Sequence, residues 1–173
     1  GDGNDDEVVR RGSVLFQRWL ATRQANCSNE KVYALDQHNY GLFSQVLTAT
    51  GSLLEALAHD HLFTWDVFRS KYAHCDGPSM ECWFQPIHSC GALPRPASAP
   101  PPVKRKRGCL FDRKTGDRSW ATFDYVAELQ RKSGLTALRA NRLFGPHFFF
   151  REALRYVMRP TPRLAGIIAT VRR

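Results

Sequence analysis

The chain has no long apolar run: no window approaches the roughly 20 consecutive apolar residues that a membrane-spanning helix needs. Its opening, GDGNDDEVV, lacks the basic start and apolar centre of a secretion signal. No GxSxG, HExxH, Walker loop or GxGxxG occurs, so the common signatures of hydrolases, zinc peptidases and nucleotide-binding enzymes are missing. Acidic residues are comparatively few, 16 Asp and Glu against 25 Lys and Arg, and the formal charge of +9 points to an anionic partner or ligand without naming it. What the 173 residues do carry is 43% hydrophobic and 12% aromatic content, enough for one sizeable core. That excludes wholesale disorder and a miniprotein held together by staples alone. Because the sequence starts at Gly1 and stops at Arg173, a targeting or anchoring segment could precede or follow it.

The cysteines are informative through their spacing. Cys75, Cys82 and Cys90 fall in KYAHCDGPSMECWFQPIHSCGALP, a stretch with Gly, Pro and Ser and no regular periodicity, as a loop needing cross-links would be. With Cys27 they are the disulfide candidates of a secretory-pathway protein. A zinc site built from Cys75, Cys82, Cys90, His74 and His88 is the rival reading, but no CxxC or HxxxH knuckle occurs among them, and no metal is assigned. Asn26-Cys27-Ser28 is an N-glycosylation sequon and makes Asn26 a glycosylation candidate in the same compartment.

Periodicity sets the expected elements. Val8, Gly12, Leu15, Phe16, Trp19 and Leu20 share a face, which predicts an amphipathic helix over about Asp6 to Gln24. KVYALD (Lys31 to Asp36) reads as a buried strand, and QHNY leads from it into Gly41. Ser44 can cap a helix carrying Val46, Leu47, Thr50, Leu53, Leu54, Leu57 and Ala58, which ends near His59 and Asp60. HLFTWD (His61 to Asp66) is a second strand. Strand, glycine turn, helix and strand in succession form the minimal parallel crossover, whose strand carboxyl ends lie beside the helix amino end, where α/β proteins usually bind ligands.

Residues 93–108 break the pattern. LPRPASAPPP holds five of the ten prolines and runs into Lys104-Arg105-Lys106-Arg107, a composition of extended, solvated linker. From Leu93 to Arg118 there are eight Lys or Arg against two Asp, so most of the basic excess is local. The same four basic residues could be a nuclear-localisation or nucleic-acid patch, although no aromatic residues interleave with them. Residues 109–173 are expected to be mostly helical. Phe123, Val126 and Leu129 mark one helix, Phe150, Ala153, Leu154, Val157 and Met158 a second, and Thr161-Pro162 starts a third bearing Leu164, Ile167, Ile168 and Val171. Its uncovered apolar stripe implies further chain beyond it. Trp83, Phe84 and the Phe148-Phe149-Phe150 triplet are core candidates before they are sugar-stacking ones, and His59, His61, His74 and His88 have no evident partners.

In order, Trp19-Leu20, Asn26-Cys27-Ser28, KVYALD, HNYGLFSQ, the helix ending AHDH, HLFTWD, ECWFQPIHSC and FFFREALRYVMRPTPRL resemble the amino-terminal half of fucosyltransferases of the α-1,6 and nodulation type. The resemblance covers about residues 15–173. It implies an α/β fold, a Rossmann-like βαβ half-domain with added helices, forming the first, acceptor-side lobe of a two-lobed enzyme. It implies transfer of fucose from GDP-fucose to a glycan, with inversion and without a metal, in the Golgi lumen. Gly41, Ser44 and Gln45 match the family's glycine turn, and Arg159-Pro160 its Arg-Pro pair, which makes Gly41, Ser44, Gln45 and Arg159 the candidate substrate-binding residues. The family's donor-binding His-x-Arg-Arg motif is not matched by ATVRR, Val46 stands where relatives often have His, and His61 falls near a common Arg. The segment therefore supplies no catalytic residue of its own. The expected partners of the parent protein are a glycan acceptor and the nucleotide sugar, with nuclear or nucleic-acid binding through Lys104 to Arg107 as the alternative.

Overall fold

A computed structural model describes residues 2–28, 31–34, 41–58, 60–65, 80–91, 93, 143–144 and 146–172. Helix α1 spans Asp2–Gln24, strand β1 Val32–Ala34, helix α2 Leu42–Ala58 and strand β2 Leu62–Thr64. A turn of 3-10 helix at Met80–Cys82 follows, then α3 (Pro146–Val157) and α4 (Pro162–Val171). β1 and β2 pair in parallel, with Val32 opposite Leu62, Tyr33 opposite Phe63 and Ala34 opposite Thr64. The described part is thus helix-rich with a small two-stranded parallel sheet, and α2 is the crossover between its strands. Both strands are shorter than KVYALD and HLFTWD suggest; residues 35–40 and 66–79 lie outside the described residues. So do most of the Pro-rich basic stretch, Lys104 to Arg107, Cys75, Cys109, His59, His74 and the helix expected around Phe123.

One start is corrected. α2 begins at Leu42, so Ser44 lies in its first turn and does not cap it. The Gly41 carbonyl accepts the Gln45 N–H at 3.0 Å, which puts Gly41 at the cap position, where glycine is tolerated well. At the other end, Ala56 and Leu57 accept from His61 and Asp60 at 2.8 and 3.2 Å, the paired closing bonds of a Schellman turn. The turn requires a left-handed residue, and Asp60 occupies that place with φ of 58°. Its carboxylate pairs with Arg23 from α1, a mostly exposed contact that adds little stability.

The core is continuous. Phe16 and Leu20 of α1, Val46, Ala49, Leu53, Ala56 and Leu57 of α2, Phe63 of β2, and Phe148, Phe149, Ala153, Tyr156 and Val157 of α3 form one buried cluster. α3 packs against both α1 and α2. Two members of the Phe triplet serve this packing: the Phe149 and Phe148 rings sit 5.2 and 6.2 Å from Phe16, while Phe150 is half-buried. Each fully buried Phe contributes about 1.5–3 kcal/mol, so this side of the core rests largely on aromatic area. Gly12 permits the closest approach. A Cβ there would lie 2.8 Å from the Phe144 Cζ, so only glycine lets that ring reach α1.

The joint of α1 and α3 also holds a buried charge that periodicity does not reveal. The Glu152 carboxylate is fully buried; it accepts from Ser13 Oγ at 2.7 Å, Gln17 Nε2 at 3.1 Å and Arg151 Nε at 3.0 Å, with Arg155 at 3.5 Å. Burial opposes its charged form, yet the bonds from Ser13, Gln17 and Arg151 and the Arg155 charge outweigh it, and the carboxyl is held below its ordinary value.

Candidate ligand-binding site

In a parallel strand–helix–strand unit the helix runs back against the strands, so the amino end of α2 stands at the same end as the carboxyl termini of β1 and β2. The first turn of α2 supplies Gly41, Phe43, Ser44 and Gln45. Gly41 is exposed, no atom of the described residues lies within 4 Å of where a Cβ would be, and its backbone is not left-handed. Among the described residues neither sterics nor backbone geometry demands glycine there. Ser44 is half-buried, and Gln45 is only 2% exposed, a packed polar group of the interior. Phe43, which periodicity does not single out, is 75% exposed and the most prominent apolar side chain of this end, with Leu47 a turn further along at 44%.

β2 delivers Thr64 and then Trp65, both buried. Thr64 Oγ1 and His88 Nε2 lie 3.3 Å apart in a buried pair, so His88 has a partner that its sequence setting does not reveal. The Trp65 ring packs 6.4 Å from Phe84, but its Nε1–H has no hydrogen-bond partner among the described residues. Gln24, the last residue of α1, turns its carbonyl to the edge of β2 and accepts the Phe63 N–H at 3.3 Å. These contacts hold the carboxyl end of β2 rigidly, as a ligand-bearing face needs.

The segment after the 3-10 turn is fixed to the Arg-Pro pair. Phe84 and Pro160 form an antiparallel bridge, with Gln85 N–H donating to Arg159 O at 2.7 Å and Thr161 N–H to Trp83 O at 3.0 Å. The Arg159 guanidinium donates from Nη2 to Pro86 O at 2.8 Å and from Nε to Tyr156 O at 3.0 Å, and lies 3.7 Å from the centre of the Tyr156 ring. Tyr156 in turn donates to Ile87 O at 3.2 Å. Burial pushes the Tyr156 phenol above its ordinary value, against the pull of Arg159, so it stays a neutral donor. Arg159 is thereby placed as a clamp through its Nε and Nη2.

Cys27 and Cys90 form a disulfide with a Cα–Cα distance of 5.4 Å, and Cys82 is disulfide-bonded as well. The thiols of Cys82 and Cys90 are therefore spent, which removes two donors of the zinc reading. Among the described residues no group of three or more His, Cys, Asp or Glu could hold a metal ion, and no helix is long and apolar enough to cross a membrane. Asn26 is exposed and its Oδ1 accepts from Ser28 Oγ at 2.7 Å.

A groove of about 510 Å³ lies elsewhere, lined by Asp6, Val9, Arg10, Ser13, Arg151 and Arg155 of α1 and α3. Its cations are partly matched: Arg10 shares Glu7 with Arg11, and Arg151 and Arg155 share the one Glu152 carboxylate. The groove lies outside the parallel strand–helix–strand unit, whose carboxyl end is where α/β proteins usually bind ligands. Among the described residues this end presents the exposed Phe43 ring on the first turn of α2, while the Thr64–His88 pair is buried. Comparison with protein-family models, with curated protein sequences and with solved structures finds no match for this chain.

Proposed function

We propose that the chain is the acceptor-side lobe of a fucosyltransferase-like glycosyltransferase, with a Rossmann-like plan, that binds the glycan receiving fucose from GDP-fucose. The observation that carries the reading is the parallel β1–α2–β2 crossover with Gly41 at the amino end of α2, in the chain order that the resemblance requires. The contact of the ECWFQPIHSC loop with Arg159-Pro160 supports it further, because two segments matched separately in sequence meet in space. Fucosyl transfer needs a base at the acceptor hydroxyl and cations at the departing diphosphate. In this reading the base and the cations come from the donor-binding lobe that carries the family's His-x-Arg-Arg motif. The exposed stripe of Ile167, Ile168 and Val171 on α4 offers that lobe a packing surface. The disulfides favour the secretory pathway, and hence the Golgi lumen, over the nucleus.

Nuclear magnetic resonance titration of residues 1–173 with candidate acceptor oligosaccharides, and separately with GDP, tests this. Acceptor-induced shifts should concentrate at Gly41 to Gln45 and at Thr64-Trp65, with no fucose transfer by the segment alone. Micromolar GDP binding to residues 1–173 by calorimetry would overturn the acceptor-side assignment.

A further inference from the structure

The sequon at Asn26 is absorbed by neither the fold nor the proposed reaction. We propose that Asn26 carries an N-linked glycan and that it is attached before the Cys27–Cys90 disulfide closes. Asn26 is exposed just past the end of α1, so the folded chain leaves room for a bulky solvated substituent.

The folded geometry, however, does not offer the motif to a transferase. Ser28 Oγ donates to Asn26 Oδ1 at 2.7 Å, so the two side chains by which the sequon is read are engaged with each other. The backbone is folded into a turn, with Asn26 N–H donating to Arg23 O at 3.3 Å and Cys27 N–H to Ala25 O at 2.9 Å. The central residue, Cys27, is tied covalently to Cys90. An enzyme that must reach both side chains of a three-residue motif needs this turn opened, and the disulfide opposes the opening.

Chain order resolves the conflict. Cys90 lies 63 residues after Cys27, and at a synthesis rate of about 5–20 residues per second Asn26 and Cys27 emerge into the compartment roughly 3–13 s before Cys90 does. In the transfer, C1 of an oligosaccharide on a lipid-linked diphosphate donor bonds to Asn26 Nδ2. The C1–O bond to the diphosphate breaks, the amide gives up a proton to a base, and the lipid diphosphate leaves. Closure follows by thiol–disulfide exchange with an oxidised disulfide carrier, which takes up both electrons and both protons. The proposal rests on passage through an oxidising secretory compartment and not on fucosyl transfer, so an inactive lobe leaves it standing.

The full chain behind a cleavable secretion signal, expressed in a eukaryotic host, tests the site. One glycan removable by a glycan amidase should be present, be lost in Asn26→Gln and Ser28→Ala, and be retained in Ser28→Thr. A secreted, disulfide-bonded chain bearing no glycan at Asn26 refutes the site. For the order of events, purified unglycosylated chain is presented to microsomal transferase with a lipid-linked oligosaccharide, either oxidised or reduced. The reduced chain should be modified at least tenfold faster, and equal rates overturn the order. Cys90→Ser serves as a second substrate that needs no reductant and should match the reduced chain, whether or not it folds.

Discussion

Removal of the Arg159 guanidinium separates a ligand-binding arginine from a structural one. In Arg159→Ala the Pro86 and Tyr156 carbonyls lose donors at 2.8 and 3.0 Å, and the Tyr156 ring loses a cation at 3.7 Å. Hydrogen bonds from a charged group are worth about 1.5–3 kcal/mol each and a partly exposed cation–π contact about 0.5–1 kcal/mol. Arg159 is half-exposed and water can replace part of what is lost, which brings the expected destabilisation down to about 2 kcal/mol. With a urea dependence of about 1–3 kcal/mol per molar, the unfolding midpoint should fall by roughly 1 M. Arg159→Lys keeps the charge but not the planar fork, so it should lose most of the same amount. Equilibrium urea unfolding followed by tryptophan fluorescence reads both variants. A stability within about 0.5 kcal/mol of wild type, the range of ordinary surface substitutions, would refute the clamp.

Three other perturbations follow from the same contacts. Glu152 has its folded-state pKa below the unfolded value, so its stabilisation is present above the ordinary carboxylate range and is lost as pH falls through the folded value; Glu152→Gln should cost about 1–3 kcal/mol at neutral pH and less in acid, and a pH-independent difference in urea unfolding rules this out. Cys27→Ser with Cys90→Ser opens a loop of sequence separation 63, worth about 4 kcal/mol of chain entropy, and calorimetry should show a melting point lower by roughly 8–16 °C. Gly12→Ala gains about 1 kcal/mol of helix propensity but presses a methyl into the Phe144 ring, so thermal unfolding should show a net loss of about 1 kcal/mol that Phe144→Leu relieves.

Periodicity reaches only part of this architecture. The stripe of α1 through Phe16 and Leu20 and the parallel crossover of KVYALD and HLFTWD could be read because they depend on local spacing. The start of α2 could not, since the residue at its cap position is Gly41, which has no side chain to mark it, while the nearest residue with a capping side chain is Ser44. Glu152 looks like a solvent-facing charge on α3; its burial depends on Ser13, 139 positions away, and on Gln17. The structural partners of Arg159 could not be read either, because Pro86 comes within reach only through a bridge between distant segments. Phe43 presents the opposite case: an apolar residue at a helix start is expected to pack, and here it faces solvent.

The stretch 80–91 has almost no regular structure, yet contacts from three elements converge on it. Cys90 binds the turn after α1, His88 meets Thr64 and Phe84 meets Trp65 at the end of β2, and Pro86 and Ile87 accept from Arg159 and Tyr156 at the end of α3. A loop anchored this way has little conformational freedom left to lose when a ligand binds, so it can hold the carboxyl end of β2 in one position at low entropic cost. The arrangement also assigns each attachment a separate consequence. Loss of the Arg159 contacts loosens the loop from α3, loss of the disulfide loosens it from α1, and among the described residues the loop meets the end of β2 through Thr64 and Trp65. Acceptor binding should therefore weaken more in a variant combining Arg159→Ala with the two Cys→Ser changes than the separate losses add up to, because each remaining anchor holds the loop when the other is cut. Strict additivity, measured as a double-mutant cycle on acceptor affinity, would show that the loop does not support the site.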